Sequence, residues 1–392
     1  MDPIPDVVLA VNVGSSSLKA AVRDPGLRLR VHAADLTPGG GELAVTGPDG
    51  RQEVAHLPGG WRSAVRAVAD ELSGRDVVPT VVVHRIVLGS SLLPEPRVGH
   101  EALLAELRRE SRRAPLHLPR QLDVVGEARE RWPHARVVLC PDSGFHQGLP
   151  DEAVALPLPS EARASGLRRW GFHGLAVESV VQRRPRLGSA VIAHLGSGCS
   201  VTAVADGVSR HTSMAVSPAG GVPSLTRSGD LDPEVVLQLV DAHGGEVAAV
   251  RQLLNQRSGV AGLSGGRTDV RDLLAAGDSA ADLALRVLVR DVAMAVAGAV
   301  TALDRWDALV FTGGIGTGST EVRERICARL LPLRPGAAER PGSPSAQLEA
   351  TGLHVLTESV DEEAVMDRLA RTALCTGTPD ARRPVAAPGR LP

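Results

Sequence analysis

Lys19 is the only lysine in a chain of 392 residues, in which the other cationic side chains are arginines. It follows a glycine and three serines in VVLAVNVGSSSLKAAVRD, Val7 to Asp24. Residues of these types at this spacing suit an anion. The amides after Gly14 and the hydroxyls of Ser15, Ser16 and Ser17 can converge on phosphate oxygens as a nest of donors. Lys19 adds a compact ammonium with rotatable donors, where the rigid fork of arginine would not fit. A phosphate loop of the form G-x-x-x-x-G-K-[ST] would need a second glycine and a following helix. The glycine is missing, and LKAAVRD runs into Pro25-Gly26 before a helix can form, so the segment reads as the return strand of a hairpin. The plain alternative is a surface serine turn with a stray lysine. Composition weighs against it, because Asn12 beside the turn is one of two asparagines, with Asn255, and tyrosine is absent. Where disfavoured residue types persist, chemistry is a reason to keep them.

Two further glycine clusters carry the same kind of signal. HLGSGCS, His194 to Ser200, repeats the turn with Gly196, Ser197 and Gly198 at its tip. VFTGGIGTGS, Val310 to Ser319, fails the dinucleotide-binding spacing because Ser319 stands where the last glycine should be. Its Gly314 and Gly316 could still let a flat base approach the backbone closely. Setting Gly14 against Gly196 aligns LAVNVGSSSLKAAVRD with VIAHLGSGCSVTAVAD, each closed by an aspartate, Asp24 and Asp206. One phosphate-sized turn in each lobe points to a duplicated nucleotide-binding fold.

The elements that must position these turns alternate. Strands are expected at Val7 to Val13, Val81 to Val87, Arg136 to Leu139, Ala190 to Leu195 and Ala308 to Thr312, with amphipathic helices between them, the pattern of an α/β protein. The helices fall at Gly60 to Leu72, Glu101 to Arg109, Pro119 to Arg131, Pro233 to Asp241, Ala280 to Leu303 and Thr320 to Leu331. The Ala280 to Leu303 segment is Ala/Val-rich on most faces and is expected to be buried between sheet and neighbour. Loops are expected at Thr37 to Gly50 and Arg334 to Ser345, and a disordered tail at Thr376 to Pro392. The length favours two domains with a cleft between them. With 43 basic and 45 acidic residues the net charge is -2, so no global field draws the chain to nucleic acid or to an anionic membrane. No apolar run approaches a membrane span, MDPIPDVV lacks the features of a signal peptide, and a cytoplasmic setting is expected. Cys140, Cys199, Cys327 and Cys375 are scattered singly, which indicates neither a disulfide framework nor a zinc site.

The chain resembles the acetokinase family, within the superfamily of acetate and sugar kinases, heat-shock chaperones and actin. The likeness runs nearly end to end through NVGSSSLK, HRIVLGS, APLHLP, PDSGFHQGLP, RRWGFHG, HLGSGCSV, TRSGDLDP, SGGRTDVRDL, FTGGIG and VDEEAV, in that order. It implies two duplicated actin-like (ribonuclease H-like) α/β domains with a cleft between them. The first would comprise 1–149 with 364–392, and the second 150–363, with the second phosphate hairpin, the adenosine site and a homodimer interface. The implied activity is reversible, ATP-dependent phosphorylation of a short-chain carboxylate, acetate or propionate, to an acyl phosphate, with Mg²⁺. A carboxylate is already ionised at neutral pH, so the barrier is repulsion between two anions, and catalysis reduces to positioning and positive charge.

Carried over by residue, the resemblance makes Arg85 and Arg227 the catalytic arginines on the carboxylate and the moving phosphoryl. It makes His173 and His194 phosphate-contacting, with His173 donating to an equatorial oxygen, and Asp142 the aspartate that organises arginine and metal. Asn12 and Glu362 match the magnesium-associated positions, Glu363 being the neighbour that a shifted alignment would select. Asp269 and Arg271 match the adenosine-facing pair, with Gly314 and Gly316 lining the base. Val87, Leu116, Phe172 and Pro218 match the acyl pocket, beside Arg85. Polar residues usual in the family are replaced by Leu88, Leu118 and Val177, a glycine by Ser90 and an asparagine by Ser197, changes that would redirect or weaken turnover if they line the cleft. Two other readings stay open: a kinase for a longer or branched carboxylate, and a catalytically silent ATP-binding interaction protein.

Overall fold

The computed structural model describes residues 7–14, 17–24, 27–37 and 39–376. Its contacts divide the chain into two compact units, Met1–Gly144 with Ala164–Gly166 and Asp361–Pro392, and Phe145–Arg163 with Leu167–Val360. Glu362, assigned to the second domain on sequence, falls in the first unit by this division.

The first unit is built on an eight-stranded sheet. Its strands are β1 (Val8–Val13), β2 (Leu18–Asp24), β3 (Leu27–Thr37), β4 (Gly40–Thr46), β5 (Gln52–Leu57), β6 (Val81–Ile86), β7 (Arg97–Val98) and β8 (Arg136–Pro141), in the order β5-β4-β3-β2-β1-β6-β8-β7. β1 pairs antiparallel with β2, Asn12 opposite Lys19, so the sequence around Lys19 is a hairpin. On its other edge β1 pairs parallel with β6, and β6 with β8. The second unit carries β9 (Ala190–Leu195), β10 (Cys199–Ala205), β11 (Val208–Thr212), β12 (Ala308–Thr312) and β13 (His354–Thr357), in the order β11-β10-β9-β12-β13. Here too an antiparallel meander opens the unit and two parallel strands follow. The block β3-β2-β1-β6-β8 thus recurs as β11-β10-β9-β12-β13. The echo between Gly14 and Gly196 is the sequence trace of that repeat.

Alternation builds these strands. Leu9, Val11 and Val13 of β1 pack with Leu18, Ala20 and Val22 of β2 in a core closed by Ala64, Val65, Val68 and Leu72 of the helix Trp61–Ser73. Intervening residues, Asn12 among them, face the other side of the sheet. In the second unit the helix Ser279–Val300 packs Leu285, Leu288, Val292 and Val296 against Val191, Val201 and Phe311. Its burial is less complete than its composition implies: Met294 on the opposite side is 66% exposed. Asp278 caps it by accepting from the Ala281 amide at 2.8 Å.

Three expectations change. The segment Thr37 to Gly50, read as a loop from its glycines and proline, holds β4, whose backbone pairs with both β3 and β5. The glycine cluster after β12 is a short helix, Gly313–Gly318, rather than an open turn. Gly313 enters it at φ 78°, where an added Cβ would stand 2.4 Å from the Leu195 carbonyl oxygen, so only glycine fits. The helix Glu362–Cys375, which no periodicity marked, starts at Asp361, whose carboxylate accepts from the Ala364 amide at 3.0 Å and pairs with Arg30 at 2.7 Å. The expected tail lies outside the described residues beyond Thr376. Among the described residues no helix is long and apolar enough to cross a membrane.

The apolar departures are core residues. Leu88 and Leu118 belong to one cluster with Ile86, Leu104, Leu122 and Leu139, and Val177 packs with Val180, Ile192 and Val310. They therefore give no argument for a longer acyl chain. Leu118→Asn should lower the unfolding free energy by about 3 kcal/mol, through lost packing and a buried amide. Urea denaturation checks it, and an unchanged midpoint would show that this core accepts a polar side chain.

Candidate active-site residues

In the first unit the ends of β1, β6 and β8 and the start of the helix Glu362–Cys375 bring together four expected residues. The Arg85 Nε donates to Asp142 Oδ1 at 3.0 Å and its Nη1 to Asn12 Oδ1 at 3.2 Å, with Glu362 Oε2 at 3.7 Å from Nη1. Asn12 Nδ2 donates to Glu362 Oε2 at 2.6 Å and to Glu363 Oε1 at 2.9 Å. Asn12 and Glu362, 350 residues apart in sequence, thus touch directly. Asp142 is fully buried and Arg85 is 12% exposed. Burial works against the charge on Arg85, but Asp142, Glu362 and Glu363 outweigh it and raise its pKa, so the guanidinium stays charged. The Glu363 carboxyl is pushed up by burial first and by Glu362 second, while the Asn12 amide and the Lys19 charge hold it down. Lys19, next to Asn12 across the β1–β2 ladder, is therefore part of the electrostatics of this carboxylate pair. Ser15 lies outside the described residues; Ser17 closes the turn, its carbonyl accepting from the Gly14 amide at 2.8 Å. Val87 is buried at the end of β6, and Leu116 lines a cavity of about 320 Å³ with Trp61, Pro119 and Arg120, whose guanidinium lies 4.5 Å from the Trp61 ring centre.

In the second unit His173, His194 and Arg227 gather at the β9–β10 hairpin. His173 sits at φ 58°, ψ 25°, left-handed backbone that a non-glycine residue seldom adopts, immediately before the helix Gly174–Arg183. Its Nδ1 is 3.0 Å from Ser200 Oγ, and its ring centre is 4.6 Å from that of His194. Arg227 donates to the Pro218 carbonyl at 3.1 Å. Gly198 makes the assembly possible: a Cβ there would stand 2.7 Å from Arg227 Nη1 and 3.2 Å from the His173 ring. Gly196 closes the hairpin with its amide 3.1 Å from the Gly198 carbonyl, and Ser197 is exposed at the tip. The start of the glycine helix is alongside, the Gly314 nitrogen 3.9 Å from where a Gly196 Cβ would be; Gly316 is buried in that helix. Cys199 is no nucleophile, because burial pushes its thiol up to about 11.

His146 had no role on sequence. It is buried, Nε2 donating to the Phe172 carbonyl at 3.0 Å and Nδ1 at 2.9 Å from Ser209 Oγ. A Cβ at Gly171 would come within 2.5 Å of its ring, so a glycine at φ 76° and this imidazole together fix the backbone entering His173. The only advance signal was its place inside PDSGFHQGLP. Phe172 is itself buried. Asp269 and Arg271 chelate each other, Nη2 to Oδ2 at 2.5 Å, with Arg271 89% exposed, and Asp269 caps the helix Val270–Ala276. Hydrogen bonding to Arg271 holds the Asp269 carboxyl below its usual range.

The profile of the Acetokinase family matches residues 7–334. A propionate kinase of Edwardsiella piscicida is 35% identical over 355 residues, covering 86% of this chain and 88% of that protein. An acetate kinase of Methylocella silvestris is 35% identical over 343 residues, 81% of this chain and 85% of that protein. Among solved structures, a propionate kinase from Francisella tularensis superposes with a TM-score of 0.82 at 26% identity, covering 93% of this chain and 98% of that one.

Gly198→Ala should displace the Arg227 guanidinium without unfolding the hairpin, because its one contact under 3 Å is with the far end of that side chain, while the His173 ring at 3.2 Å need give only slightly. Turnover is expected to fall about 10²-fold with the melting temperature nearly unchanged. Steady-state rates set beside a thermal melt separate this from a folding defect.

Proposed function

This chain belongs to the acetokinase family, and we propose on that footing that it transfers the γ-phosphoryl group of ATP directly and in line to the carboxylate of a short-chain acid, acetate or propionate, reversibly. It is a carboxylate-phosphorylating kinase. The observation that carries the residue assignment is the network of Asn12, Arg85, Asp142 and Glu362, four distant parts of the chain joined at one charged point.

The reaction asks two anions to meet, and no base is needed because the nucleophile is already ionised. Arg85, charged and pinned through Nε and Nη1, is assigned to the acceptor carboxylate, with Asp142 setting its orientation. Arg227 is assigned to the charge on the moving phosphoryl group. Where Ser200 donates to Nδ1 of His173, Nε2 carries the proton and can donate to an equatorial phosphoryl oxygen. His194, Ser15, Ser17, Lys19, Gly196, Ser197 and Gly198 are assigned to the phosphate chain. Asp269, Arg271, Gly314 and Gly316 are assigned to adenosine, and Val87, Leu116, Phe172 and Pro218 to the acyl group.

Family members use ATP with a divalent metal, taken here as Mg²⁺. The residues fit: two carboxylates converge on Asn12, and Glu363 is raised partly by Glu362, a repulsion that a divalent cation would relieve. Such an ion usually keeps several water and phosphate ligands and needs few from the protein. Asn12 and Glu362 would hold it, and its contribution would be neutralisation of phosphate charge. We further propose a homodimer in a cytoplasmic setting, where ATP is available. In support, the helix Pro233–Ala242 buries no residue yet exposes Val235 and Leu237, Leu237 to 58%, with Val247 nearby in sequence also exposed.

Acyl hydroxamate formation with ATP, Mg²⁺ and a panel of carboxylates tests the assignment, with signal expected for acetate and propionate. Nucleotide that protects the fold from heat while no acid gives product would refute it. Arg227→Ala is expected to lower kcat by about 10²–10³-fold while nucleotide binding persists; wild-type turnover would remove Arg227 from the reaction.

A further inference from the structure

β1 and β6 pair in register only from Val8 and Val81 to Val11 and His84. Beyond that point the two strands carry Asn12 and Arg85 with no ladder between them. On the other edge β6 remains tied to β8, through Ile86 opposite Pro141 and the Asp142 amide donating to the Ile86 carbonyl at 2.8 Å. On the β1 side the side chains of Arg85 and Asn12 meet across the gap, and the two backbones are linked through a third side chain. Gln121, in the helix Leu118–Arg131 and 2% exposed, accepts the Val87 amide on Oε1 at 2.9 Å and donates from Nε2 to the Val13 carbonyl at 3.3 Å. Its amide thus takes the place of a peptide unit between strands that have parted.

We infer that Gln121 is a positioning residue for the phosphoryl-transfer reaction, setting the separation between the strand end that carries Asn12 and the one that carries Arg85 and Val87. The inference rests on the function proposed above, and Gln121 would act through the backbone of its two neighbours. Three physical points support it. The amide has both a donor and an acceptor and engages each in a buried place, where an unmet backbone group is costly. The atoms it joins lie one residue after Asn12 and two after Arg85, so a shift at either is transmitted along a single stretch of backbone. The neighbours of Gln121 on its helix face, Leu118, Leu122 and Val125, are core residues, so an apolar side chain at 121 would also pack, and hydrophobicity alone does not explain the glutamine.

The test is a set of three variants assayed with the full chain for both substrates. Gln121→Leu removes both hydrogen bonds at nearly constant volume, and kcat/KM for the carboxylate should fall about 10²-fold, with KM for the carboxylate rising. Gln121→Glu keeps the acceptor, but its acid must be protonated to donate to the Val13 carbonyl. Burial raises the pKa of that acid, so the proton is held at low pH and lost as pH rises through the raised value. Relative to wild type, this variant should be most active at low pH and decline as pH increases, a limb that a merely structural glutamine would not create. Gln121→Asn, too short to span both groups, should resemble Gln121→Leu. If Gln121→Leu and Gln121→Glu keep the wild-type KM and pH profile and lose only thermal stability, the residue is structural and the inference is overturned. An inert wild type, with every acid tried, would overturn the proposed reaction and this role together, whereas an active wild type with insensitive variants removes this role alone.

Discussion

The chemistry proposed for the first unit depends on keeping one buried guanidinium charged and aimed. A cation taken out of water is costly unless opposite charge and hydrogen bonds replace its hydration. Around Arg85 that replacement comes from hydrogen bonds to Asp142 and Asn12 and from the charges of Asp142, Glu362 and Glu363, whose combined field outweighs burial. Removing one partner of such a buried pair typically costs about 3–5 kcal/mol, so the network proposed to act on the substrate is also part of what holds the fold. Its geometry explains why β1, β6 and β8 lie side by side: their C-terminal ends supply, in turn, an amide, a guanidinium and a carboxylate. The helix Glu362–Cys375 then completes the set, held at its start by Asp361 against Arg23 and Arg30.

The second unit solves a different problem with the same topology. Its hairpin turn must admit a histidine and an arginine close to backbone, and glycine at 198 leaves the room. The left-handed conformation of His173 is held by its surroundings: His146 pins the preceding carbonyl, and Ser200 meets the ring. Strain of this kind persists only where neighbours over-determine it. The duplicated sheet therefore offers one scaffold twice, and the side chains at the strand ends distinguish an acid-rich, arginine-centred set from a histidine-rich one.

Several residues were legible in sequence because their signals are local. The hairpin at Lys19 followed from a short apolar run stopped by Pro25-Gly26, and β9 and β12 from runs bounded by glycine. The strand β4 was not legible, because PGGGELAVTGPDG has the composition of a loop while only its pairing with β3 and β5 makes it a strand. The apolar departures are hard to read for a related reason. Leu88, Leu118 and Val177 look like lost active-site groups along the chain, yet they point into cores, since the face a residue occupies is set by packing. Gln121 carries a readable signal, a polar residue on the apolar stripe of its helix.

By itself the sequence determined the alternation of strands and helices, the repeated glycine turns, the family and the identity of the charged residues, because each rests on residue type and short-range spacing. Only the tertiary structure decided which carboxylates meet Asn12, why Gly171 and Gly198 must be glycine, and what bridges β1 and β6 where their ladder ends. Those are distances between groups up to 350 residues apart. Such distances are fixed by how sheets and helices pack, and no local pattern encodes them.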